Sequence, residues 1–219
     1  TMLLRSALQR EDVGRLRRLG FQQALVSALV DELRAAEAEQ ESQRLIDAAR
    51  PLLGADSRAM LGYWNTRAIA LAAAGLPEQA VETLDAMLER SDLSASLRRP
   101  LELNRLLFGS ATGALDRRTL ELLEAFWPER ATFGVAANRI LLLARIRALV
   151  HAGQNVEARR VLNDAPDLLD GSDLESRLLR GWSLVLGQTR LTAEHEPTVA
   201  ALLAMDRTLA SQNDSLPKK

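Results

Sequence analysis

The sequence has no cysteine, eight aromatic residues and two lysines, Lys218 and Lys219, in 219 residues. Without cysteine there are no disulfides, no thiolate metal sites and no cysteine nucleophile. With both lysines at the tail, neither a P-loop nor a pyridoxal Schiff base is available, because each needs a lysine inside the fold. The other 26 basic residues are arginine, a bias expected of a high-GC bacterial genome. Charge of one sign is also missing: 28 basic and 29 acidic residues leave a net charge of −1, which removes the global argument for nucleic acid or an anionic membrane as partner. The longest uncharged run, Leu19 to Val30, is a dozen residues, too short to cross a bilayer. No signal-peptide pattern opens the chain. A soluble protein is expected, in either the cytoplasm or the periplasm.

What is abundant is leucine and alanine, 43 and 34 residues, against 10 valines and 4 isoleucines. Leucine and alanine lose little on entering a helix, whereas strands favour β-branched and aromatic residues. No segment alternates with period two, so the chain reads as all-α. Apolar residues at helical spacing, punctuated by glycine and proline, predict helices near 2–18, 21–37, 39–50, 57–74, 77–90, 95–109, 116–127, 132–152, 154–164, 173–186 and 196–210. Ser57, Ser94, Asp116 and Thr132 are candidate N-caps, and Ser172 with Glu175 forms a candidate capping box. Pro77 suits a first helical turn.

Gly75, Gly113, Gly153 and Gly187 sit between paired helices at separations of 38, 40 and 34 residues. Two helices per period of this size indicate an α-solenoid, in which stacking buries faces that one pair leaves open. In one unit Trp64, Ala68, Leu71, Gly75, Ala80 and Leu84 supply large, small, large, turn, small and large residues. Leu142, Ile146, Leu149, Gly153, Ala158, Leu162 and Ala165 repeat the spacing in another. These units resemble the tetratricopeptide repeat. The unit around Gly113 is degenerate, with Arg118 where a small residue is expected, and that around Gly187 is weaker, with Thr192 there. The resemblance implies a right-handed α-α solenoid of stacked antiparallel helix pairs over residues 56–210. Helices in 1–55 would cap the array, with Leu25, Leu29 and Leu33 facing Leu45, Ala49 and Leu52, and 211–219 would form a flexible tail.

Catalytic constellations are not evident. His151 and His195 are far apart and in no metal-ligand spacing, so no metal or cofactor is expected. The stretch from Phe108 to Gly113 lacks the Gly-x-Ser-x-Gly of a nucleophile elbow. Carboxylate pairs such as Asp170/Asp173 carry no specific signal, and Trp127 and Trp182 read as packing residues. Arginines do cluster, at 5–18 and at 129–160, opposite acidic stretches at 31–41, 78–92 and 164–175. Solvated outer faces explain this, or a polarised surface that orients a charged partner.

In the family that the chain resembles, the first helix of each pair lines a concave groove. The resemblance places Asn65, Ile69, Ala72 and Ala73 there from one clear unit, and Ile140, Leu143, Arg147, Val150 and His151 from the other. Leu103, Leu107 and Arg177 extend the groove into the weaker units. Lysines of the family's carboxylate clamp are absent, so that clamp is not expected. The remaining groove suits an apolar peptide or helix with an acidic end. The expected function is a non-catalytic scaffold that binds another protein, as an accessory or regulatory component of a bacterial secretion, motility or envelope assembly. The alternative is a ligand-sensing or enzymatic helical domain with a pocket inside the solenoid. Nucleic acid and membrane insertion are not expected, and a homodimer through an exposed helix face is the third candidate.

Overall fold

The computed structural model describes residues 1–10, 14–112, 115–171 and 173–187. All regular structure among them is helical: α1 (Met2–Gln9), α2 (Arg15–Asp31), α3 (Ala35–Leu53), α4 (Leu61–Ala73), α5 (Pro77–Leu88), α6 (Ala95–Ala111), α7 (Arg117–Phe126), α8 (Val135–His151), α9 (Asn155–Asn163) and α10 (Leu174–Gly187), with short 3₁₀ segments at Arg58–Met60, Trp127–Thr132 and Pro166–Leu168. The helix expected at 196–210 and the cap residue Ser172 lie outside the described residues. Contacts divide the chain into two compact units, Thr1–Ser91 and Asp92–Lys219.

The first predicted helix ends nine residues early. It ends at Gln9, and α2 begins after Gly14, running through Gly20, where a break was expected. α3 then starts at Ala35, because the turn between the two helices is short and tightly bonded. Leu33 N–H donates to the Val30 carbonyl, and Arg34 N–H reaches back to Leu29 at 2.8 Å. This is the paired bonding of a Schellman cap, which places its central residue in the left-handed region. Leu33 sits there with φ 58°.

The same turn recurs twice. Gly75 N–H donates to Ala72 and Leu76 N–H to Leu71; Gly153 N–H donates to Val150 and Gln154 N–H to Leu149. The glycines have φ 76° and 74°, and the following residues, Arg34, Leu76 and Gln154, share ψ between 52° and 59°. Side-chain burial repeats with the backbone. Counting from the turn residue, positions −7, −4, +5 and +9 are Val26, Leu29, Ala38 and Ser42 in α2/α3. They are Ala68, Leu71, Ala80 and Leu84 in α4/α5, and Ile146, Leu149, Ala158 and Leu162 in α8/α9, and all twelve are buried. Alanine at +5 in every pair lets the second helix close on the first.

α6 and α7 pack as a pair with a different register. The buried residues of α7 are Thr119 and Leu123, one position later than the glycine spacing implied, and Arg118 is half-buried beside them. Gly109 of α6 faces Thr119 so closely that a Cβ there would lie 2.3 Å from Thr119 Oγ1. Within the units, α2 packs on α4, α6 on α8 and α8 on α10, so successive first helices touch as well as helix partners.

The second unit is braced by buried arginines. Arg105 forks onto Asp116 at 2.9 and 3.2 Å and donates to Thr119 Oγ1, while Asp116 caps α7 through the Thr119 N–H. Burial would raise the Asp116 pKa, but Arg105 and the Thr119 N–H outweigh it and hold the carboxyl below its ordinary range. Arg139 binds the Leu168 carbonyl, the Asp170 carbonyl and the Asp173 carboxylate, gathering the loop before α10. Asp173 also receives the Ser176 N–H at 2.9 Å and so caps α10. Its pKa is likewise depressed: burial opposes ionisation, and the Ser176 hydrogen bonds with the Arg139 charge prevail.

Candidate functional site

Eight of the twelve residues assigned to a groove are buried. Ala72 and Ala73 of α4, Leu103 and Leu107 of α6, and Ile140, Leu143 and Val150 of α8 are buried. Asn65, Ile69 and Arg177 are half-buried, and His151 is exposed at the end of α8. Leu107 and Arg147 do come together, but inside the unit: Arg147 is 2% exposed and donates to the Leu107 carbonyl at 2.8 Å and to Ser110 Oγ at 2.9 Å. The reason lies in α8, which touches α6, α9 and α10 and therefore buries residues around most of its circumference. Arg147 and His151 share a helical face, yet that face runs from core to solvent.

Three clefts stand out among the described residues; one, of about 410 Å³, is lined by Ala95, Ser96, Arg99, Pro100, Leu103 and Phe133, and the other two are related to one another. The first of the related pair, of about 500 Å³, lies among the end of α3, α4 and α5. Leu61, Trp64 and Met87 form its apolar floor, with Arg50 5.8 Å from the Trp64 ring centroid and Arg90 bonded to the Asp56 carbonyl. The second, of about 390 Å³, lies among the Trp127–Thr132 segment, α8 and α9. Shifting the first hairpin by the 78 residues between Gly75 and Gly153 places Trp64 on Leu142, Thr83 on Val161, Ala86 on Asp164, Met87 on Ala165 and Arg90 on Leu168. All ten line their respective clefts. The clefts therefore occupy one topological position in two hairpins, at the end opposite the Schellman turn.

In the second cleft the Trp127 ring has Arg130 at 4.5 Å and Arg145 at 5.6 Å from its centroid, an arrangement held by cation–π attraction. Arg160 forks onto Glu157 at 2.6 and 2.9 Å. That hydrogen bonding is the main reason the Glu157 pKa is lowered, with burial opposing and the charges of Arg160 and Arg145 assisting. Neither Trp127 nor Arg145 was singled out by sequence as a binding residue. The usable signal was Trp127 three residues before Arg130, on the chain entering a repeat-like hairpin. Among the described residues no three histidine or carboxylate side chains converge as metal ligands, and no helix is long and apolar enough to cross a membrane.

No family model, curated protein or solved structure matches this chain.

Proposed function

We propose that the protein is a helical-repeat scaffold, built as a tetratricopeptide-like α-α solenoid, that binds another protein without catalysis. The observation that carries this reading is the recurrence of one turn and one buried register in three hairpins, at Leu33, Gly75 and Gly153. A hairpin buried on this pattern leaves apolar faces that only neighbouring hairpins can cover, and stacked hairpins offer extended surfaces suited to polypeptide partners. Packing of first helices on one another within each unit supports the same reading.

The test is in-cell crosslinking of the tagged protein in its native organism, followed by purification and mass measurement. A discrete complex with a partner protein at fixed stoichiometry is expected. A chain recovered only alone, or only with itself, would contradict the proposal. The 500 Å³ cleft beside Trp64 favours a second reading, a ligand-sensing helical domain. That reading predicts a saturable rise in melting temperature with a small amphipathic carboxylic acid such as octanoate, abolished by Arg50→Met.

A further inference from the structure

Arg145 lines the cleft beside Trp127, and one of its donors finds no partner within the protein. Nε of Arg145 is shielded from solvent and has no hydrogen-bond partner. A buried donor left unpaired is costly, and in a native protein it calls for an explanation. The neighbouring guanidiniums are engaged differently: Arg160 is held by Glu157, and Arg130 lies on Trp127 and donates to its carbonyl at 3.2 Å. Nε is closed off from the cleft, so an incoming acceptor meets the terminal nitrogens of Arg145, the cleft-lining arginine that is not forked onto a carboxylate. Leu142, Val161, Ala165 and Leu168 provide an aliphatic wall beside it.

We propose that this cleft docks an acidic segment of a partner protein: a glutamate or aspartate carboxylate accepts from Arg145, and an adjacent aliphatic side chain packs on the Leu142–Val161 wall. The planar fork of a guanidinium matches a carboxylate, and in a shielded site such a bond is strong. A volume of about 390 Å³ with an aliphatic wall exceeds what inorganic phosphate needs. A nucleic-acid strand fits less well, because Arg130 lies over the Trp127 ring on which a base would stack. This assignment rests on the scaffold reading and names the chemistry of the partner.

The experiment is selection of displayed random 12-residue peptides on the full chain, then titration of the enriched peptide, labelled with fluorescein, into wild type, Arg145→Met, Val161→Glu and Arg159→Met. Arg159 is exposed on α9, the helix of Val161, and outside the cleft, so its loss changes net charge as much as the loss of Arg145. An acidic-aliphatic consensus is expected. Arg145→Met should weaken it at least about tenfold, the value of a charge-assisted hydrogen bond. Val161→Glu should weaken it independently, and Arg159→Met should change it less than about twofold. Enriched peptides that bind all four proteins equally, or that are basic, would overturn the cleft assignment while leaving the scaffold reading intact. Failure to enrich any peptide would count against both. Labelled oligo(dT) that binds wild type and is lost with Arg145→Met would make the cleft a nucleic-acid site and overturn the proposal.

Discussion

In the first unit, residues 1–91, the interior is closed by aliphatic side chains: Leu19, Leu45, Ile46, Ala49 and Met60 form one cluster, with Tyr63 and Trp64 against it. Its described charged residues are half-buried or exposed, and none is fully buried. Around the α2–α3 turn, Arg5 pairs with Glu37 at 2.6 Å, and Arg34 pairs with both Glu37 and Glu32. The second unit places Arg105, Arg139 and Arg147 inside, the first two tying helices to turns and the third tying α8 to α6. Similar hairpins are thus completed by two chemistries. Aliphatic packing tolerates small adjustments of volume, whereas a buried guanidinium needs every partner in place.

The largest expected effect lies in the aliphatic unit. Leu29→Ala should cost about 3 kcal/mol, transfer plus cavity, measured by urea unfolding. Arg147→Met should cost roughly 2 kcal/mol, because the Leu107 carbonyl and Ser110 lose their donor. Arg147→Lys should recover part of this, since both bonds come from the one nitrogen Nη1 and an ammonium carries three donors. Hydrogen exchange should rise in α6 and α8 in both variants; equal protection in wild type and Arg147→Met would dissolve the contrast between units.

Acid should sharpen it. Asp116 and Asp173 have folded pKa values below their unfolded ones. Their contribution is therefore fully present above about pH 4, the unfolded value, and is lost as pH falls through the folded values. Below about pH 4 exchange should rise first at the α7 and α10 N-termini, and Asp116→Asn should remove the α7 part of that dependence.

Smaller effects test the shared turn. Gly153→Ala meets no neighbouring atom but must hold φ 74°, so a cost of roughly 1 kcal/mol is expected from backbone alone. Leu33→Gly removes the same penalty at the price of a half-buried side chain, and a net change below about 1 kcal/mol is expected by thermal unfolding.

The sequence's alanine and glycine spacing made α4/α5 and α8/α9 legible, down to the buried Ala80 and Ala158. α2/α3 was obscured because Leu33 occupies a backbone conformation usually marked by glycine, so a search for turn glycines passes over it. The α7 register was obscured because its buried residues, Thr119 and Leu123, stand one position later than the glycine spacing implies. The groove assignment rested on which face of α8 is open, and no single-helix pattern reveals that a third and fourth helix cover it. Arg145 and Arg147 illustrate the limit: two residues apart in one arginine-rich run, one is locked in the core and the other lines a cleft. Periodicity separates their directions but not what stands in each direction.

That pair also provides the most direct test. Thermal unfolding and titration of the selected acidic peptide are measured on Arg145→Met and Arg147→Met together. The account predicts that Arg147→Met melts roughly 5 °C or more below wild type, while Arg145→Met melts at or above wild type and binds the peptide at least about tenfold more weakly. An Arg145→Met protein that melts low, or that binds as wild type does, would contradict it.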